Sequence, residues 1–212
     1  MAWRSTGTSN EELVENMWRN KLMTDSRVKS VFLKVDRAHY APAKAYVDAP
    51  QTIGYGATIS APHMHATAIE NLVEYIVPKP DRPAPRVLDV GSGSGYLTHL
   101  MAELVGEKGL VIGVKFTVGD GRKGWVEPPR EGEDEGGQGW DAIHVGASAK
   151  EVHAELLAQL KSPGRMFIPV DDDSDGWNQH VWNIDKDKDG NVTKHKLFGV
   201  RYVPLTDAPK DR

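Results

Sequence analysis

A glycine-rich segment at residues 89–95 has the residue types and spacing of a ligand-binding loop. It reads Asp-Val-Gly-Ser-Gly-Ser-Gly and lies between an apolar run at 86–90 and a helical pattern that starts after Gly95. Glycines let a ligand come close to the backbone, and the first N–H groups of a helix can bind an anionic group. A glycine turn without a ligand is the simpler alternative, but the flanking elements and Asp89 favour a ligand site.

The segment 51–66 is a second candidate region, because it contains Ser60, His63 and His65. Pro62 suits the first turn of a helix, so Ser60 is in position to cap that helix. Two histidines separated by one residue also suggest a metal site, but such a site needs further ligands. The chain has no cysteine and no acidic residue at a suitable spacing. We therefore expect no metal, and we expect both histidines to line or brace a site.

Helical patterns dominate residues 1–85. Ser9 and Glu12 have the spacing of a capping box for a first helix, and a second helix is predicted to start near Ser26. The third helix should follow Ser60. We expect these residues to form the N-terminal, substrate-side segment of a single domain that spans residues 1–212.

Short apolar runs alternate with helical patterns over residues 86–170, which predicts a parallel sheet with crossover helices. The predicted strands are 86–90, 110–114, 141–145 and 165–170, and helices are predicted after Gly95 and at about 149–160. In the tail, 171–212, strand-like segments at 177–184 and 192–203 flank Asp189-Gly190, a pattern typical of an antiparallel hairpin. The sequence thus predicts an α/β fold with a mostly parallel sheet, helices on both faces and a C-terminal antiparallel hairpin.

The composition restricts the class of protein. A chain of 212 residues can bury a substantial core, and a net charge of -4 argues against nucleic-acid binding. The absence of cysteine excludes disulfides and thiolate zinc sites. Since no apolar stretch is long enough to cross a bilayer and residues 1–5 lack the apolar core of a signal peptide, we expect a cytoplasmic protein without a membrane partner.

The spacing of the glycines distinguishes between cofactors. A dinucleotide site has the pattern G-x-G-x-x-G, whereas this loop has G-x-G-x-G preceded by Asp89. That pattern resembles the first motif of class I methyltransferases. The resemblance implies S-adenosyl-L-methionine as cofactor; its carboxylate suits backbone N–H groups and its ammonium suits an acidic neighbour.

Residues 51–66 are similar, nearly residue for residue, to the signature of protein-L-isoaspartate O-methyltransferases. Further similarity to this family lies at 118–122, 141–147, 160–170 and 203–207. The resemblance covers almost the whole chain and implies a Rossmann-like fold, here expected as a monomer. It implies transfer of a methyl group from S-adenosyl-L-methionine to the α-carboxylate of L-isoaspartyl residues in damaged proteins and peptides.

This reaction needs no strong general base, because a carboxylate with a pKa of about 4 is already ionised at neutral pH. Alignment of the reactants and exclusion of water should therefore supply most of the acceleration. We expect Ser60 and the first N–H groups of its helix to orient the substrate carboxylate. The alternative is that Ser60 serves only as the helix cap.

The resemblance also implies roles for further residues. Asp120 and Gly121 would contact the adenine, and an extended segment at 202–205 could pair with a substrate peptide by strand addition. The expected cofactor-binding residues are Ala57, Thr58, Ile59, His65, Asp89, Gly91, Gly93, Ser94, Gly95, Asp120, Gly121 and Thr206. The expected substrate-binding residues are Ser60, Ala61, His65, Val203, Pro204 and Leu205, with Ser60 also the catalytic residue.

A crossover helix is missing between the second and third predicted strands. Residues 110–114 run directly into 115–120, although parallel neighbours need a connection of about a dozen residues or more. Compared with the family, the chain lacks this segment and the acidic residue in it that binds the cofactor ribose. Losing that hydrogen bond would cost on the order of 1.5–3 kcal/mol of cofactor binding.

Two other functions compete with the enzyme. A catalytically impaired or inactive relative would bind damaged polypeptides through residues 57–65 and 200–206 without efficient methyl transfer, and the missing crossover favours it. A nicotinamide-dependent dehydrogenase would use the same glycine loop, but the glycine spacing and residues 58–65 argue against it. The acidic segment 127–139 is predicted to be a surface loop.

Overall fold

The computed structural model describes residues 5–54, 57–114, 120–126, 139–172, 174 and 178–205. The predicted acidic loop at 127–139 lies almost wholly outside these residues. The helices are α1 (Asn10–Arg19), α2 (Ser26–Lys34), α3 (Pro62–Ile76), α4 (Tyr96–Val105) and α5 (Ala154–Gln159). Within the described part of the chain, no helix combines the length and apolar character that spanning a membrane requires.

Among the described residues, the main sheet has six strands in the order β4-β3-β5-β6-β7-β8. These strands are β3 (Arg86–Val90), β4 (Leu110–Val114), β5 (Trp140–Val145), β6 (Leu160–Asp171), β7 (Gln179–Lys186) and β8 (Val192–Gly199). The pairs among β4, β3, β5 and β6 are parallel, whereas β6–β7 and β7–β8 are antiparallel. The predicted mostly parallel sheet with a C-terminal hairpin is therefore confirmed. A separate two-stranded sheet consists of β1 (Gln51–Gly54) and β2 (Ala57–Ile59).

Helices cover both faces of the main sheet. One hydrophobic cluster joins α1, α2, α3 and α4 to strand residues such as Val87 and Ala142. A second cluster joins the opposite sides of the same strands, through Leu88 and Ile143, to Leu156 of α5. Because successive side chains of a strand point to opposite faces, adjacent residues of β3 belong to different clusters.

Several predicted elements differ in extent from the structure. The strand predicted at 165–170 begins already at Leu160, and the strand predicted at 177–184 spans Gln179–Lys186. The helix predicted from Ala149 begins only at Ala154, because Ala149 forms a bridge with Val170: its N–H donates to the Pro169 carbonyl (2.9 Å) and its carbonyl accepts from the Asp171 N–H (2.9 Å). The last strand ends at Gly199 rather than 203, since the following residues turn towards the end of β5.

β4 lies at one end of the main sheet within the described residues, where it pairs with β3 in parallel over its whole length. On the side of the second cluster, Ile112 and Val114 of β4 are only partly buried, whereas Leu88 and Val90 of β3 are fully buried. Most of the third predicted strand, 115–120, falls outside the described residues. On this face of the sheet, β4 is thus less covered than β3.

The start of α3 corrects one prediction. Ala61, not Ser60, is the N-cap residue, and its side chain makes no capping hydrogen bond. A carboxylate from a distant loop takes this role: Asp48 Oδ1 accepts from the His63 backbone N–H (3.1 Å) and from His63 Nδ1 (2.7 Å). Asp48 is fully buried, and Pro62 occupies the first turn as predicted. The Ser60 hydroxyl is therefore not used for capping.

We predict that Asp48→Ala lowers the free energy of unfolding by about 2–3 kcal/mol, because the α3 N-terminus loses its acceptor and His63 loses a buried partner. Urea unfolding of the purified protein measures this change. Asp48→Asn is the matched control, with a smaller expected loss because its amide oxygen can still accept from the His63 N–H. Equal unfolding midpoints for Asp48→Ala and the unchanged chain would contradict the prediction.

Candidate active site

A cleft lies where β2, the start of α3, the glycine loop and the ends of β3 and β5 meet. Eight of the predicted site residues line it: Thr58, Ile59, Ser60, His65, Asp89, Gly91, Gly93 and Ser94. The sequence predictions missed five further lining residues: Ser92, Tyr96, Leu97, His144 and Gly146. The cleft therefore unites the two regions, 51–66 and 89–95, that were selected separately from the sequence.

The glycine loop forms a bare backbone wall of this cleft. Gly95 precedes α4 with a φ of 86°, a left-handed conformation that favours glycine. The Gly91 N–H donates to the Val114 carbonyl (2.8 Å), which ties the loop to the end of β4. A Cβ atom on Gly146, at the end of β5, would lie only 2.9 Å from the Gly91 carbonyl oxygen. The two strand ends thus approach each other at a distance that only glycine permits.

Asp89 supplies a buried negative charge at the end of β3. It is 1% exposed, its Oδ2 accepts from the Thr98 hydroxyl (2.6 Å), and its Oδ1 lies 2.8 Å from His144 Nδ1. The His144 ring is in turn stacked on Phe167, with ring centroids 6.0 Å apart. Because a carboxylate has about four lone-pair positions, Asp89 can still accept a hydrogen bond from a cationic ligand.

Ser60 lies at the tip of α3 and faces the same cleft. Its side chain shares a hydrogen bond with the Tyr202 hydroxyl, and burial raises the pKa of Tyr202 to about 12. The Ser60 backbone carbonyl accepts from Arg37 Nη2 (2.7 Å). Both the main chain and the side chain of Ser60 are therefore held by residues distant in the sequence.

His65 is buried in the wall of the cleft, and its Nδ1 lies 3.1 Å from Arg37 Nη1. Its ring also packs against Tyr96, with centroids 5.3 Å apart. Burial, followed by the positive charge of Arg37, holds the pKa of His65 well below its usual value. The imidazole is thus neutral at pH 7. Arg37 was not among the predicted site residues, and nothing in its local sequence indicates that it is buried.

Within the described part of the chain, the remaining predicted site residues do not line this cleft. Ala57, Ala61 and Gly95 adjoin lining residues in the chain, and Thr206 lies outside the described residues. Asp120 begins the turn at Gly121–Lys123 and binds Arg122 Nε at 2.7 Å, a contact that lowers the pKa of its carboxyl. Their proposed roles stay predictions.

The segment 203–205 pairs with Ser148, just after β5. The Ser148 N–H donates to the Val203 carbonyl (2.9 Å), and the Leu205 N–H donates to the Ser148 carbonyl (2.7 Å). One edge of this short segment is therefore already occupied. On the other edge of the segment, Pro204 has no N–H to donate. A peptide strand added there would find only the Pro204 carbonyl, an acceptor, at that residue.

Comparison with known proteins shows the family of this chain. The family model for protein-L-isoaspartate(D-aspartate) O-methyltransferase matches residues 8–117 and 113–210. The chain belongs to this family. The two matched segments meet at residues 113–117, the same junction at which the sequence lacks a crossover.

Similar proteins carry the same name. A protein-L-isoaspartate O-methyltransferase from Caenorhabditis elegans is 42% identical over 233 residues, which cover 97% of this chain and 96% of that protein. Protein-L-isoaspartate O-methyltransferase 2 from Arabidopsis thaliana is 40% identical, over 95% of this chain and 69% of that protein. The alignment with the C. elegans protein is 21 positions longer than the 212 residues of this chain. It therefore contains at least 21 positions without a counterpart in this chain.

A solved structure agrees in fold. A Plasmodium falciparum protein, described as a protein-L-isoaspartate O-methyltransferase and crystallised in complex with S-adenosyl-L-homocysteine, superposes with a TM-score of 0.79 and 31% identity. The similarity covers 94% of this chain and 99% of that one. The Rossmann-like α/β fold expected from the resemblance is thus confirmed.

Proposed function

We propose that this chain is a repair methyltransferase, which transfers a methyl group from S-adenosyl-L-methionine to the α-carboxylate of L-isoaspartyl residues in damaged proteins and peptides. The observation that carries the proposal is the single cleft shared by Ser60 and the glycine loop at 91–94. Family membership supports it, because the relatives are named for this reaction. The S-adenosyl-L-homocysteine of the P. falciparum structure supports the same cofactor.

The residues of the cleft fit the proposed cofactor. Gly93 and Ser94 offer backbone N–H groups for its carboxylate, Gly91 offers an approach without a side chain, and buried Asp89 offers an acceptor for its ammonium. When bound, the cofactor supplies an electrophilic methyl group on a sulfonium. We propose that the following residues also bind the cofactor: Ala57, Thr58, Ile59, His65, Gly95, Asp120, Gly121 and Thr206.

The substrate side of the cleft needs only to orient an anion. The isoaspartyl carboxylate is ionised at neutral pH, so no residue has to remove a proton. Ser60 donates a hydrogen bond to this carboxylate in our proposal, and the buried walls formed by His65 and Tyr96 exclude water. The positive charge of the donor and the negative charge of the acceptor both diminish in the transition state, so alignment and desolvation provide the rate increase.

We assign the three parts of the single domain accordingly. Residues 1–85 form the substrate side, 86–170 bind the cofactor, and 171–212 support the cleft through Tyr202, whose hydroxyl contacts the Ser60 side chain. Ala61, Val203, Pro204 and Leu205 are proposed as further substrate contacts. We propose a cytoplasmic monomer that acts on proteins and peptides; its net charge of -4 argues against nucleic acid as a substrate.

The junction after Val114 favours one alternative, a relative that binds isoaspartyl polypeptides with weak or no methyl transfer. At this junction the chain lacks the crossover in which the family has a ribose-binding acidic residue. The alignment with the C. elegans protein is also longer than this chain. In that case the substrate side of the cleft would be intact and the cofactor side impaired.

Calorimetry with S-adenosyl-L-homocysteine distinguishes the two functions. We expect micromolar binding, weakened roughly 10- to 150-fold relative to the C. elegans protein measured in parallel, because one charged hydrogen bond to the ribose is lost. Absence of binding by a folded chain would support the impaired relative.

Transfer of labelled methyl groups to an isoaspartyl peptide tests the reaction itself. We expect incorporation into the isoaspartyl peptide and none into its aspartyl twin, which differs only in the carboxylate presented. Equal incorporation into both peptides, or none into either at saturating cofactor, would overturn the proposed function.

A further inference from the structure

Arg37 is a buried residue whose side chain contacts both His65 and Ser60 of the cleft. It lies in the turn at Arg37–His39, has no exposed surface, and reaches His65 Nδ1 with Nη1 (3.1 Å) and the Ser60 carbonyl with Nη2 (2.7 Å). Its guanidinium also lies over the Tyr96 ring, 5.2 Å from the centroid. One buried side chain thus contacts three cleft residues without lining the cleft itself.

The chemistry of these contacts fixes the direction of one hydrogen bond. A guanidinium has five N–H donors and no acceptor, so Arg37 can only donate to His65. The His65 Nδ1 atom must therefore be unprotonated and accept, which places the proton of the neutral ring on Nε2. Two neutral tautomers are available to a free histidine, but this neighbour permits only one of them.

We infer that Arg37 is a positioning residue, which holds His65 as the Nε2–H tautomer and so presents a hydrogen-bond donor to a carboxylate in the cleft. The inference rests on the proposed function, whose two reactants both carry a carboxylate. One is the isoaspartyl α-carboxylate and the other is the amino-acid carboxylate of the cofactor. Kinetic and binding measurements distinguish which of these two carboxylates accepts the hydrogen bond from His65.

The charged groups around His65 favour a neutral imidazole, which donates a hydrogen bond from Nε2. Arg37, His63 and His144 all disfavour a second proton on the ring, and burial disfavours it most. Burial lowers the pKa of Arg37 to about 10, so the guanidinium itself remains charged at pH 7. His65 is therefore held between a fixed cation on one side and the cleft on the other.

The cost of burying Arg37 argues against a purely structural role. Among the described residues, no carboxylate lies within ion-pair distance of its guanidinium, and its Nε has no hydrogen-bond partner. A buried charge without a paired carboxylate usually destabilises a protein. Ionisable groups with a pKa perturbed by burial occur preferentially at functional sites.

Nitrogen-15 NMR of the ligand-free chain, with labelled histidine, tests the tautomer directly. The His65 signals, assigned by their loss in His65→Gln, should show a protonated Nε2 and an unprotonated Nδ1. A proton on Nδ1, or exchange between both tautomers, would overturn the inference. This measurement requires no turnover, so its outcome is independent of whether the chain methylates peptides.

Arg37→Met tests the consequence for catalysis. We expect mixed His65 tautomers and a loss of roughly 10- to 150-fold in kcat/KM, the effect of one charge-supported hydrogen bond. If the isoaspartyl carboxylate is the acceptor, the loss appears in the peptide kinetics with unchanged affinity for S-adenosyl-L-homocysteine. If the cofactor carboxylate is the acceptor, that affinity falls. Arg37→Lys retains the charge but not the paired donors, and should recover only part of the loss.

Arg19→Met is the matched control, because Arg19 is exposed on α1 and its side chain bonds Asn16 within the same helix. It should leave tautomer and kinetics unchanged. A folded Arg37→Met protein with the wild-type tautomer and wild-type kinetics would overturn the inference. Should Arg37→Met fail to fold, the NMR measurement on the unchanged chain still decides it.

Discussion

Asp89→Asn is expected to weaken binding of S-adenosyl-L-homocysteine at least roughly 30-fold, the largest effect we predict. The carboxylate is 1% exposed, so in the proposed site it would meet the cofactor ammonium in surroundings that contain little water. Removing one member of such a buried charge pair costs about 2–5 kcal/mol. The neutral amide also disturbs the contact with His144, 2.8 Å away. Calorimetric titration of both proteins measures the change.

Asp141→Asn provides the matched control on the neighbouring strand. Asp141 lies near the start of β5, at the opposite edge of the sheet from the cleft, where it accepts from the Arg86 N–H (2.8 Å) and from Lys161 (2.9 Å). Its substitution should lower stability without changing the cofactor affinity. Equal affinities for Asp89→Asn and the unchanged chain would remove Asp89 from the proposed cofactor site.

Ser60→Ala is expected to lower kcat for isoaspartyl methylation by roughly 10- to 150-fold, with a melting temperature close to that of the unchanged chain. The loss corresponds to one hydrogen bond to a charged carboxylate, about 1.5–3 kcal/mol. Stability should be retained because Ala61 and Asp48, not Ser60, serve the N-terminus of α3. Methyl incorporation at saturating peptide and a thermal unfolding curve together measure both effects.

Tyr202→Phe separates the two hydrogen-bonding roles of Ser60. It removes the contact between the Tyr202 and Ser60 hydroxyls but leaves Ser60 facing the cleft. We expect a smaller decrease in kcat than for Ser60→Ala. A decrease of equal size would mean that Ser60 acts through Tyr202, and unchanged turnover of Ser60→Ala would refute its proposed catalytic role.

Local sequence patterns were sufficient for the architecture. Apolar runs, helical periodicity and turn residues predicted α1 to α4, the strands β3 to β5 and the antiparallel hairpin, because these features depend on neighbours within a few residues. The glycine loop was found for the same reason, since its strand and helix flank it directly. The junction after residue 114 was also visible, because parallel strands cannot be joined without a connection of sufficient length.

Predictions that depended on distant partners were wrong or absent. Ser60 was expected to cap α3, but Asp48 provides the acceptor there, from 15 residues before His63 in the chain. The helix expected from Ala149 starts later because that residue pairs with β6. Local propensity is overridden when a tertiary contact satisfies the same backbone groups.

The sequence by itself determined the family, the α/β fold and the two regions that form the cleft. Only the tertiary structure decided that Arg37, Asp48, His144 and Tyr202 surround those regions and which atoms they contact. These residues lie at separations of 15 to 142 from the groups they bind, and no periodic pattern encodes such contacts. The physical reason is that a buried polar group selects its partner by position in space after the sheet and helices have packed.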